Sequence, residues 1–313
     1  MNAVKPAAAK LTLGPLLYNW PAERRRDFYF RVADEAPVDA VHVGEVVCAK
    51  RVPLVADVTA DVVERLLRAG KAVIHSTAAL VQDARDEDGI AALAADPALE
   101  IEANDMAGVA LMAGRPHVIG PLVNVYNEDT LAFLAGRGAV RFVLPAEHDA
   151  ATIAVLAAAA AALGAETEVQ AFGRLPLAIS ARCYHARAHG LHKDGCQYVC
   201  GEDPDGMAVE TLDGQPFLAV NGTQTQSWAV ANLCHEMAAM CAAGVGRFRL
   251  WPQAVDMVAV AQLFRDMLDG RLDAGEADGA LARLVPFAPF ANGFYHGREG
   301  VAWDAASSQC ELP

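Results

Sequence analysis

Three of the chain's seven cysteines, Cys183, Cys196 and Cys200, stand within eighteen residues of one another in the segment SARCYHARAHGLHKDGCQYVCGED. Their pattern is C-x12-C-x3-C. The close pair puts two sulfurs on one side of a helical turn or tight loop, where they can share an ion or a cluster. A thiolate site of this kind takes four ligands, and the remaining candidates are Cys48, Cys234, Cys241 and Cys310. An odd count argues against complete disulfide pairing, and clustered thiols in a reducing compartment serve metal binding or catalysis. Zinc knuckles usually bring two C-x2-4-C pairs and only one is present, so the spacing leans to an iron-sulfur cluster and leaves a four-thiolate zinc site open.

His185, His189 and His192 share the loop; a polar, glycine-bearing stretch commonly carries such histidines exposed, with ligation the lesser expectation. Lys50, Arg51, Arg182, Arg187 and Lys193 surround the cysteines in sequence. They either offset the charge of a thiolate-bound group or form an ordinary solvated face.

The elements that must position these residues are legible as eight β-rich runs: KLTLGPLLY, AVHVGEVVC, KAVIHS, LEIEAN, HVIGPLVNVY, VRFVLP, TEVQAF and RFRLWP. Helix-like stretches separate them, among them PAERRRDFYFRVADEA with Pro21 at a first helical position and DVTADVVERLLRAGK with Gly70 at its C-terminal cap. Strand and helix alternating through short loops predict parallel pairing and a (β/α)8 TIM-like barrel, with a doubly wound sheet as the alternative. The run Ala157 to Ala162 reads as a buried helix face.

The rhythm breaks once, between the seventh and eighth strands. The break, about residues 181–243 of a single domain spanning 1–313, holds the cysteine segment, a hairpin MAVETLDGQPFLAVNG turning at Asp213-Gly214, and an expected helix SWAVANLCHEMAAMCAAG. Cys48 ends the second strand and the insertion follows the seventh, so both belong to the C-terminal rim where barrels build their sites. Geometry therefore selects Cys48 as fourth ligand. Cys234 and Cys241 are expected as buried thiols on a helix, and Cys310 lies near the chain end.

Hydrophobic residues make up 54% of the 313-residue chain and charged ones 20%, ample for one large core. The net charge of -14 disfavours a nucleic-acid partner. No apolar run reaches the ~20 residues of a membrane span and the N-terminal stretch does not resemble a signal peptide, so a cytoplasmic protein is expected.

The stretches LGPLLYNWP, HVGEVVCAKR, LPLAISARCYHARAHGLHKDGCQYVC, VNGTQTQS and ANGFYHGREG, spread over nearly the whole chain, resemble the ubiquinone-biosynthesis members of the collagenase-like peptidase family. The resemblance implies a 4Fe-4S cluster on Cys48, Cys183, Cys196 and Cys200. It implies an oxygen-independent hydroxylase of the aromatic ring of ubiquinone precursors, acting as a heterodimer with a UbiU-like protein and near a lipid-binding UbiT-like accessory protein. Relatives of the UbiU and RNA-hydroxylating kinds have a different cysteine spacing after a segment like HGALC, where this chain reads FGRLPLAISARC. A non-catalytic iron-sulfur subunit that supports the partner is the competing reading. Peptidase chemistry lacks its motifs: there is no G-x-S-x-G, no papain-like cysteine signature, and His235-Glu236 in LCHEMAAM lacks a second histidine at metalloprotease spacing.

Overall fold

The computed structural model describes residues 9–304. Its order is β1 Lys10–Leu13, α1 Ala22–Glu35, β2 Ala40–Val43, α2 Val52–Arg68, β3 Ala72–Ser76, α3 Ala84–Ala95, β4 Glu100–Ala103, α4 Met106–Leu111, β5 His117–Ile119, α5 Glu128–Ala135, β6 Ala139–Val143, α6 Ala150–Ala162 and β7 Glu166–Ile179. It continues through α7 Tyr184–Ala188, β8 Met207–Glu210, β9 Pro216–Asn221, β10 Gln224–Asn232, α8 Met237–Ala242, β11 Arg247–Leu250, α9 Met257–Leu268, α10 Ala274–Leu284 and β12 Phe290–Ala291. Strands β1 to β7 pair in parallel in sequence order, and β11 pairs in parallel with both β7 and β1. The ring is therefore closed, which decides for the barrel over the doubly wound sheet. All eight barrel strands fall on the eight runs read from the sequence.

Local chemistry sets the boundaries. Helices α3, α4, α5, α6, α9 and α10 each begin on an Asp or Asn whose side chain accepts from a backbone N–H of the first turn, satisfying an otherwise orphaned donor. Gly70 follows α2 at φ +77°, as a C-terminal glycine should. Pro21, however, is the N-cap of α1, one place before the expected first helical position, and α2 starts at Val52, earlier than the DVTADVVERLLRAGK stretch. In α6, Ala157 and Ala160 are buried while Ala158, Ala161 and Ala162 are exposed, because a helix of small residues packs only one side on the barrel.

The barrel interior is filled. Ala40, Ile74, Val118 and Val143 form an apolar cluster. One pleat further along the strands lies a buried ionic layer: Arg249 on β11 bonds Glu168 on β7 at 2.6 Å, Glu102 on β4 at 2.5 Å and Nε2 of His42 on β2 at 3.0 Å. Glu168 is on the neighbouring strand, but Glu102 on β4 and His42 on β2 can be reached from β11 only across the interior. Arginine has only donors, so Nε2 of His42 accepts, and its proton sits on Nδ1 beside Ser76 Oγ at 3.2 Å. Burial, and then Arg249, lowers the His42 pKa from an ordinary 6.5 to about 4. Burial pushes Glu168 up, but Arg249 and then His42 outweigh it and hold the carboxyl at about 2.

Both shifts destabilise the fold in acid. Below pH 6.5 the unfolded chain takes up a proton at His42 that the folded chain refuses until about 4, and below about 4.5 it takes up another at Glu168. The urea midpoint is expected to fall steadily from pH 7 to pH 4, with a shallower slope above pH 5 in His42→Asn. A flat profile would show that His42 is not held neutral.

Beyond the barrel, β7 runs on to Ile179, past the Phe172 end expected for it, and pairs antiparallel with β10, which pairs with β9 and that with β8. The hairpin at Asp213-Gly214 is as read. The expected helix SWAVANLCHEMAAMCAAG is not one element: its first part is β10, and only Met237–Ala242 is helical. The long β7 overhang offers a free ladder edge, which captures a stretch whose Trp and Val suit a strand. Cys234 consequently lies in the turn before α8 rather than on it. It is core-buried, and Cys241 on α8 packs half-buried against the core, so both are the packed thiols expected. Cys310 lies outside the described residues. Among the described residues no helix is long and apolar enough to cross a membrane.

Candidate metal centre

At the rim after β2 the chain turns through Gly44, at φ +120°, where a Cβ would stand 2.4 Å from the carbonyl oxygen of Ser76; only glycine lets the loop leave beside β3. Glu45 Oε1 then accepts from the N–H groups of Val47 and Cys48, each at 3.1 Å. This folds the loop so that Cys48 ends it, at the start of a single 3-10 turn Ala49–Arg51.

The insertion supplies the other three cysteines. Cys183 caps α7, its Sγ accepting from Ala186 N–H at 3.4 Å. Cys196 and Cys200 follow on two further 3-10 turns, Lys193–Gly195 and Val199–Gly201. Between them Gln197 and Tyr198 hold left-handed backbones at φ +49° and +56°, a conformation costing non-glycine residues about 1–3 kcal/mol each. Both cysteines, together with Cys48 and Cys183, line a single hollow of about 340 Å³ counted out to its mouth. Cys183 and Cys200 are buried and Cys48 and Cys196 half-buried.

What joins rim to insertion is Arg51. Only 1% exposed, it donates to Leu17 O at 3.1 Å, Asn221 O at 3.1 Å and Asn221 Oδ1 at 2.8 Å, and stands 3.7 Å from Glu45. Asn221 in turn donates to the carbonyls of Cys200 and Asp203 and accepts from Asn19 N–H, while Asn19 Nδ2 donates to Cys200 Sγ at 3.4 Å. Gly222, at φ +71°, lets the backbone pass: a Cβ there would lie 2.2 Å from Arg51 Nη2.

Three cations, Lys50, Arg51 and Lys193, line the hollow. Burial opposes the Arg51 charge, yet Glu45 and then the sulfurs of Cys200 and Cys48 overcome it and raise its pKa. Burial pushes the Cys48 thiol up, with Arg51 pulling against it. Cys183 is likewise raised by burial, then by the sulfurs of Cys200 and Cys196 against the Ala186 N–H. Lys50 and Lys193 line the hollow as well, Lys50 donating to Lys193 O at 2.8 Å. Arg182 and Arg187 are exposed and do not line it. Of the five flanking cations, three therefore belong to the site and two to the solvated face.

None of the three histidines lines the hollow. His185 is fully buried and fixed structurally, Nδ1 at 3.1 Å from Val220 O and Nε2 at 3.0 Å from Asp203. His189 is exposed and stacks on it, and His192 is exposed. Glu45, Asn19, Asn221 and Gly222 were given no role in the sequence reading, although HVGEVVC, LYNWP and VNGTQTQS contain them. Their function is contact between distant segments, which no local spacing encodes.

The donor set suits a multi-iron cluster better than a single ion. Four sulfurs around one zinc at ~2.3 Å stand about 3.8 Å apart. Among the described residues, no three of these four sulfurs lie within 4.8 Å of one another. The N–H groups of Asn19 and Ala186 aimed at sulfur, and the cations behind it, are the features that tune a thiolate-held cluster.

A larger groove opens beside the hollow, about 1850 Å³ by the same measure, sharing Lys50 and Tyr198 as its wall. It runs between α2 and α3, lined by Val52, Val55, Ile90 and Leu93, with Ser76 and Thr77 at the strand ends.

The sequence profile of peptidase family U32 matches residues 29–305. The chain belongs to peptidase family U32. The match spans Cys48, the whole insertion and β11, so all four cysteines that line the hollow of this U32 protein lie within the family region. Among solved structures it is similar to the spore coat polysaccharide biosynthesis protein SpsE of Bacillus subtilis, at 10% identity over 97% of this chain and 77% of that one, with a TM-score of 0.37.

Proposed function

We propose that this U32 protein is the UbiV-type, 4Fe-4S-bearing subunit of an oxygen-independent hydroxylase acting on the aromatic ring of ubiquinone precursors, paired with a UbiU-like protein. The observation that carries the reading is the meeting of Cys48 with Cys183, Cys196 and Cys200 in one cation-lined hollow, the same four positions singled out by the resemblance. When bound there, a 4Fe-4S cluster supplies one-electron chemistry or a Lewis-acidic iron. Arg51, Lys50 and Lys193 offset the charge of the thiolates, and Asn19 and Ala186 fix two sulfurs through N–H donors. The groove sharing Lys50 and Tyr198 is the place for the aromatic substrate, large enough for a ring with part of a side chain and offering it Val52, Val55, Ile90 and Leu93 beside the charged Arg85 and Asp86.

The deciding experiment is anaerobic purification with and without a UbiU-like partner, followed by iron, sulfide and ring-hydroxylation assays. About four iron and four sulfide per chain, with hydroxylation requiring both proteins, is expected. One zinc and no iron would end the reading. Iron without any effect on hydroxylation would end the hydroxylase reading, and hydroxylation by the partner that this chain only enhances would leave the supporting-subunit role.

Because Cys48 and Cys196 are half-buried at an open mouth, the visible absorbance of the loaded protein is expected to bleach in air. Absorbance unchanged after prolonged aeration would place the cluster out of oxidant reach and contradict a rim site.

A further inference from the structure

The turn after β10 gathers a second set of donors, none of which lines the four-cysteine hollow. The sulfur of Cys234, an imidazole nitrogen of His235 and a carboxylate oxygen of Asp278 on α10 all lie within 4.8 Å of one another. Cys234 is buried, and the other two are half-buried.

Three features set this group apart from a chance cluster. Among the described residues no Lys or Arg pairs with Asp278; its hydrogen bond comes from Asn232 Nδ2 at 2.8 Å. The same buried amide accepts Cys234 N–H on Oδ1 at 3.2 Å, so one side chain holds both the Asp278 carboxylate and the Cys234 backbone. Finally, Nε2 of His235 is enclosed without a hydrogen-bond partner, a cost that native interiors seldom leave uncompensated.

We infer that Cys234, His235 and Asp278 bind a divalent ion of the zinc class. One sulfur, one nitrogen and one oxygen make a borderline-soft set, suited to zinc rather than to calcium or magnesium. Bonds of ~2.0–2.3 Å to one ion require the donors to stand about 3.3–3.8 Å apart, a closure that side-chain rotation supplies. On binding, the Cys234 thiol gives its proton to solvent and the sulfur takes the metal, with no change of oxidation state. The ion ties the end of β10 to α10, and its fourth position is left for water or an exogenous ligand. Asn232 acts as a positioning residue, holding the carboxylate and the cysteine backbone.

The inference is independent of the proposed function, and the test keeps the two sites apart. A chain with Cys48, Cys183, Cys196 and Cys200 all replaced by serine is incubated anaerobically with zinc sulfate, desalted and assayed for zinc, with circular dichroism to confirm folding. One zinc per chain is expected. Adding Cys234→Ser or Asp278→Asn should weaken binding by about 100-fold or more, and Asn232→Ala by about 10–100-fold. If the quadruple variant does not fold, the zinc retained by the iron-loaded native chain is compared with that of its Asp278→Asn variant, with iron measured in parallel; loss of one zinc at constant iron is then the expected result. No zinc retained by the folded quadruple variant, or zinc unaffected by both Cys234→Ser and Asp278→Asn, overturns the site.

Discussion

Cys48→Ala is expected to abolish iron binding, from about four iron per chain to none, and to fail in a quinone-biosynthesis complementation test. The substituted residue lies more than 130 positions from Cys183, yet both line one hollow, since the loop after β2 and the overhang of β7 meet above the same rim. Removing one thiolate from four leaves an iron without its protein ligand, and clusters so exposed are lost on isolation. The fold itself should persist, because Cys48 is a half-buried loop residue whose truncation costs about 1 kcal/mol. Cys241→Ala is the control: it trims a half-buried thiol packed on the core elsewhere and should keep its iron. Full iron in Cys48→Ala would mean that another residue completes the set. His192, the alternative nearest in sequence to the other three cysteines, does not line the hollow.

Arg51→Met is expected to cost about 3–5 kcal/mol and most of the iron, although Arg51 is no ligand. Its guanidinium satisfies Leu17 O, Asn221 O and Asn221 Oδ1 and faces Glu45 within a fully buried setting. Methionine fills the volume but strands those acceptors and leaves Arg25, at 3.8 Å, as the one cation paired with Glu45 among the described residues. Arg51→Lys should recover little, since an ammonium cannot reach Leu17 and Asn221 at once as the planar fork does. Urea denaturation and iron content check both variants. Native iron and an unshifted midpoint in Arg51→Met would show that rim and insertion hold together without it.

The barrel was legible because strands such as AVHV and RFRL are buried on both faces and read as short runs carrying valine or an aromatic residue, whatever their partners. The placement of Cys48 followed from topology alone: alternation fixes which strand ends share a rim. The stretch from Ser227 misled because Ala, Met and Trp at helical spacing describe a helix and a buried strand equally well, and the deciding factor was the free edge of β7, set some fifty residues earlier. Arg51 was ambiguous for a related reason. A cation one turn from a cysteine reads the same whether water or Asn221 receives it, and Asn221 lies 170 positions away.

The closing pair of the barrel also fixes when the cysteine hollow can be filled. β1 finds its second neighbour only in β11, and Thr12 donates to Phe248 O across 236 positions. While the chain is still emerging from the ribosome, all four thiols of the hollow precede the strand that locks the ring, so Cys48 gains its fixed place beside the other three only when β11 closes the barrel. On the reading proposed above, a cluster would therefore be loaded onto the closed barrel rather than onto a nascent peptide.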